Sequence, residues 1–211
     1  RRSLYIAKGS RNSQNRSMKP SVNSIQDIKG QVIELTWSYV IWWELSYKEN
    51  RARFKEVLQT YPNYFEAVRR SMEQGFCVTA YRLFDMDGRV TSLLKLAQNL
   101  KNSDGVLAQQ LTSRIDSHKT LLKKIQLIRQ NVYGHRNEKL SPTDAYKKVK
   151  IKPTEMKTIL LLVQETAAAL AEAAGVQSKD SLLERFRHCE SNAKDEAIHI
   201  LQVLEGRNST Q

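Results

Sequence analysis

The sequence predicts an all-α protein, an up-and-down bundle of about five to six helices whose long fourth helix carries the residues of chemical interest. Two observations predict it. Across 211 residues there are only 8 Gly and 4 Pro, too few breakers for the many tight turns of a sandwich or barrel. Apolar residues instead recur at steps of three and four, the spacing of one helix face. With 40% hydrophobic and 27% charged residues the composition is that of a globular chain rather than a disordered one. No segment repeats another at a fixed period, which argues against a solenoid.

The elements follow in order. Ile28, Val32, Leu35, Tyr39 and Trp42 form one stripe of a first helix running from Ser24 to about Lys48, widened by Trp37, Val40 and Trp43. Three tryptophans so placed could stack on nucleobases, although core or dimer packing is the usual use of helical aromatics. Tyr61-Pro62-Asn63 opens a second helix, carried to Asp85 by Tyr64, Phe65, Val68, Met72, Phe76, Ala80, Leu83 and Phe84. Asp87-Gly88 makes a turn, and Thr91 to Asn99 is a short third helix with Leu93, Leu94, Leu96 and Leu100. Asn102-Ser103-Asp104-Gly105 breaks the chain again. The fourth helix keeps its stripe for seven turns through Leu107, Leu111, Ile115, His118, Leu122, Ile125, Arg129 and Val132. Gly134 begins its end, and Pro142 disfavours helical dihedrals at Ser141. After a basic connector, Lys147-Lys148-Val149-Lys150, a fifth helix opens at Pro153 and Thr154. It carries Met156, Ile159, Leu160, Val163, Ala167 and Leu170 and stops near Gly175. Ser178-Lys179-Asp180 opens the sixth, with Leu182, Phe186, Cys189, Ala193, Ala197, Ile200 and Leu204, before Arg207 to Gln211 fray.

Of the +12 net charge, +5 lies in residues 1–17, where Arg1, Arg2, Lys8, Arg11 and Arg16 stand without an acid, leaving +7 elsewhere. That leader has twin arginines but no apolar stretch behind them, so it is not expected to be an export signal. Its simplest reading is sequence upstream of, or added ahead of, a natural start at Met18. The expected organisation is a basic polar leader over 1–23, a helical bundle over 24–175 and an additional C-terminal helix over 176–211. The residual positive charge favours polyanionic partners, though a solvated basic surface is as common. Cys77 and Cys189 make no disulfide framework or zinc spacing, so a reducing compartment, the cytoplasm, is expected. Ile159–Val163 and Ala167–Ala174, the longest apolar stretches, fall far short of the ~20 residues that span a bilayer. No membrane association is expected.

Most enzyme signatures are absent: there is no GxGxxG, GxxxxGK[ST], GxSxG or HExxH, and no dense Asp/Glu set for magnesium. Any catalysis is expected to use neither metal nor other cofactor. Histidine then becomes the natural titratable candidate near neutrality. His118, between Ile115 and Leu122, reads as a satisfied core histidine, and His188 and His199 are given no role. His135 differs by its company in Ile128-Arg129-Gln130-Asn131-Val132-Tyr133-Gly134-His135-Arg136-Asn137. An arginine seldom occupies a core stripe without a partner or a task. The alternative for this segment is a helix C-terminus where His135 and Arg136 complement the dipole.

An arginine followed, after four to six intervening residues, by a histidine, late in a long helix, is the motif of HEPN domains. The stretch from Arg129 to His135-Arg136 resembles the abortive-infection branch of that superfamily. The aromatic first helix, Arg82-Leu83-Phe84-Asp85 and Thr91-Ser92-Leu93-Leu94-Lys95-Leu96 agree in character. The resemblance covers about Ile25 to Ala174, with the last helix an addition. Gln130 stands where the family usually has a polar residue, often Asn, and Asn131 follows it. Asn137 stands where one variant carries a tyrosine that a paired nucleotidyltransferase modifies.

The resemblance implies a homodimeric RNA endonuclease of a bacterial defence or toxin–antitoxin system, cutting without metal and leaving a 2′,3′-cyclic phosphate and a 5′-OH. His135 would be the general base for the ribose 2′-OH, and Arg129 would stabilise the phosphorane oxygens through its forked donors. Asn131, four residues before His135, would orient the imidazole or the phosphate. Lys123, Lys124, Arg136 and Lys139 would hold the flanking RNA backbone. An antitoxin protein is an implied partner, and the nucleotidyltransferase type lacks its target tyrosine here. Two alternatives stay open: a non-catalytic HEPN-like module that binds RNA or protein, and a helical dimerisation scaffold. Six residues on a straight helix separate Arg129 from His135 by about 120° and about 9 Å. A site shared by two copies of the fourth helix, or unwinding at Gly134, would bring them together.

Overall fold

A computed structural model describes residues 20–85, 90–130, 149 and 151–208. Among them are nine α-helices and no strand. The helices are α1 (Val22–Ser46), α2 (Lys48–Arg53), α3 (Lys55–Thr60), α4 (Pro62–Leu83), α5 (Leu93–Asn99), α6 (Gly105–Ser117), α7 (Lys119–Ile128), α8 (Pro153–Ala173) and α9 (Lys179–Asn208). The leader over 1–17, the Asp87-Gly88 turn, and Gly134 with the Ser141-Pro142 stop lie outside the described residues.

Helix α1 is the central element, packing along α4, α8 and α9. Ser21 caps it, its Oγ accepting from the Ser24 amide at 3.1 Å, and thereby satisfies one orphan donor of the first turn. The stripe Ile28, Val32, Leu35, Tyr39 and Trp42 is buried, as its spacing requires. It meets Phe76, Ala80 and Leu83 of α4, Ile159, Val163 and Leu170 of α8, and Leu182 and Phe186 of α9 in one core. Of the three tryptophans only Trp42 is buried, while Trp37 keeps 49% of its surface exposed. The close α1–α4 approach is visible at Gly75, where a Cβ would stand 3.0 Å from the Ser38 hydroxyl.

One polar tie joins three helices inside this packing. Gln164 of α8 donates to Thr36 Oγ1 of α1 at 3.3 Å and to Glu190 Oε1 of α9 at 3.0 Å. Lys157 of α8 donates to the other Glu190 oxygen at 2.8 Å. Buried polar groups are stabilising only when partnered, so this arrangement fixes the register of α9 on the bundle. Helix α8 ends in a Schellman turn, with Gly175 at φ +70° and the Val176 amide donating to the Ala171 carbonyl at 3.0 Å.

The structure corrects three expectations. The fourth helix is not continuous: it is divided at His118 into α6 and α7. The Arg114 carbonyl, which the His118 amide would bond in a helix, instead accepts from Ser117 Oγ at 2.7 Å and His118 Nδ1 at 2.9 Å. The His118 amide turns to Ile115 at 3.0 Å. His118 is accordingly half-buried at a helix break and is not a core residue. In α9 the expected core residue Ile200 is 52% exposed and Leu201 is buried. The reason is a second, smaller core of Leu45, Phe54, Val57, Phe65 and Leu201, onto which the far end of α9 turns its face. Helices α2 and α3 are absent from the sequence pattern; Phe54 at their junction and Val57 of α3 supply that core.

Candidate functional site

Helix α7 is short and amphipathic, and its phase decides where Arg129 goes. Ile125 and Ile128 are fully buried, so the Leu122–Ile125–Arg129 stripe faces α4 and α8. Arg129 follows directly on the helix with helical dihedrals, its amide donating to the carbonyls of both Ile125 and Gln126.

The guanidinium is held by an aromatic ring rather than by an acid. Arg129 Cζ lies 5.0 Å from the centroid of Tyr81 on α4, within cation–π range. No carboxylate pairs with it among the described residues. The ring orients the guanidinium, and among the described residues no carboxylate occupies its donors, the combination that recognition of a phosphate needs. Tyr81 was not legible in the sequence as a site residue. It sits beside the buried Ala80 on a helix far from Arg129 in the chain, and only the α4–α7 register brings them together.

The basic residues of the stretch divide into two kinds. Lys123 is exposed and, among the described residues, has no ion-pair partner. Lys124 is tied to α8: its Nζ bonds Glu155 Oε1 at 2.5 Å. Glu155 also accepts from the Lys152 amide at 2.7 Å, closing the first turn of α8. Burial opposes the charge on Glu155, but the Lys124 ammonium and the Lys152 amide outweigh it and hold the carboxyl below its ordinary range. Lys124 thus joins α7 to α8 just before Arg129. His135, Asn131, Arg136 and Lys139 lie outside the described residues.

Cys77 is buried, and burial pushes its thiol far up from the ordinary range. No helix among the described residues is long and apolar enough to cross a membrane.

A family model for abortive-infection HEPN domains, AbiU2, matches residues 30–188. No curated protein and no solved structure matches the chain. The matched span begins in α1 and runs past the end of α8 as far as His188 in α9, taking in α4 with Tyr81 and α7 with Arg129 after it. An all-α bundle fits that span, and the chain belongs to the AbiU2 family of abortive-infection HEPN domains.

Proposed function

We propose that this HEPN domain is a metal-independent RNA endonuclease acting in bacterial defence, as a homodimer restrained by an antitoxin protein. The observation that carries the reading is Arg129, held against Tyr81 on a core-facing stripe with no carboxylate beside it among the described residues. His135 takes the proton of a ribose 2′-OH, and the 2′-oxygen attacks the adjacent phosphorus. Arg129 stabilises the negative charge of the phosphorane. The P–O5′ bond breaks, the 5′-oxygen takes a proton from solvent, and the other product ends in a 2′,3′-cyclic phosphate. Asn131 orients the imidazole or the phosphate. Lys123, Arg136 and Lys139 hold the flanking backbone, with Lys124 adding its charge from the Glu155 pair.

Cleavage of a single-stranded RNA should persist in excess EDTA, and end-group analysis should find 2′,3′-cyclic phosphate and 5′-OH termini. The same sequence as DNA should stay intact, because it lacks the nucleophile. A strict magnesium requirement, or 5′-phosphate ends, would refute this chemistry.

A further inference from the structure

We infer that the cleft between α4 and α7 is a nucleobase subsite, which holds one unpaired base of an RNA strand beside Arg129 and prefers a base carrying an exocyclic amino group. The inference rests on the proposed RNA substrate, and deepens it by naming what the strand presents. The cleft has a volume of about 510 Å³, within the range of small-ligand sites. It runs along the Arg129 stripe of α7: Leu122 and Ile125 line it, seven and four residues before Arg129, which is about 10 and 6 Å along a helix axis. Tyr81 belongs to both places, lining the cleft and holding the guanidinium.

The chemistry of the walls separates a base from its backbone. Tyr81, Phe84, Leu94 and Leu122 supply aromatic and apolar surface, which suits the flat face of any base. Lys119 and Lys123, one turn apart on α7, are exposed in the lining and have no ion-pair partner among the described residues. They are placed for the phosphates on either side of an inserted base. Two carboxylates line the cleft beside the amide of Gln126, which can both donate and accept: Asp85, which is already engaged, and Asp116 at the end of α6, which has no ion-pair partner among the described residues. A carboxylate only accepts hydrogen bonds, so it favours the amino group of cytosine over the carbonyl of uracil at the same ring position. A base already paired in a duplex cannot enter, which restricts the site to single strands.

The test uses the full chain and two fluorescent 2′-O-methyl octanucleotides, all cytosine and all uracil, with affinity read by anisotropy at neutral pH. Neither can be cut by the proposed chemistry, because the attacking hydroxyl is blocked. The wild-type protein should bind the cytosine strand at least about fivefold more tightly, a margin within the discrimination of a good base contact. Asp116→Asn should reduce that ratio towards one. Leu122→Trp, which fills the cleft, should weaken both strands and remove the preference, with the thermal midpoint of each variant checked against the wild type. Equal affinities in the wild type, no binding of either strand, or a ratio unchanged in both variants would overturn the subsite. Base preference in a protein that cuts no natural RNA would refute the nuclease reading alone, and cleavage without base preference would refute the subsite alone.

Discussion

Phe186→Ala should destabilise the protein by about 3–5 kcal/mol, the usual cost of emptying a buried phenylalanine site. Phe186 is 1% exposed and lies in the main core with Leu182 and Ala193 of the same helix. Helix α9 is therefore held by the same packing as the bundle, and by the Glu190 tie to Gln164 and Lys157. Against a typical total of about 5–15 kcal/mol this is a large fraction, and for a chain of this size it lowers the thermal midpoint by roughly 2–4 °C per kcal/mol. Urea unfolding followed by circular dichroism measures it. A change below about 1 kcal/mol, in the range of surface substitutions, would show that α9 is only laid against the bundle.

Arg129→Ala and His135→Ala proteins, each inactive alone, should recover about a quarter of wild-type cleavage when mixed in equal amounts and allowed to exchange subunits. Six residues place the two groups about 120° apart on a straight helix, where they converge poorly within one chain. In the proposed two-fold dimer each Arg129 meets the other chain's His135. Half the dimers in the mixture are then mixed, and each mixed dimer holds one intact site of two, which gives about one quarter. If each chain carries its own complete site, every subunit lacks one group and nothing returns. No recovery despite demonstrated exchange would refute the composite site.

The long stripes of this protein were legible because helical spacing encodes one buried face. Ile28 to Trp42 in α1 and Ile159, Leu160 and Val163 in α8 are all buried. The C-terminus of α8 was legible too, since Gly175 takes the left-handed conformation of a helix stop. The break at His118 was not, because the hydrophobic phase of Leu111 and Ile115 resumes at Ile125. What divides the helix is a local competition for the Arg114 carbonyl, which periodicity does not register. Ile200 and Leu201 exchanged places because α9 runs from one core onto another, a tertiary fact. Within the candidate site, Arg129 stood out as a charged residue on an apolar stripe. Tyr81 and the cleft it shares did not, because both depend on how α4 lies against α7. Lys124 looked like its neighbour Lys123 in the sequence. Only the fold shows that Glu155 has claimed it.

That His135 is the catalytic base acting opposite Arg129 is the proposal on which the rest depends. It is tested most directly by comparing the wild type and His135→Ala on one single-stranded RNA, measuring single-turnover cleavage and binding on the same preparations. Cleavage should fall by about 10²–10⁴-fold, the span of a lost general base, while affinity for RNA stays unchanged. Cleavage by the variant at the wild-type rate would contradict it.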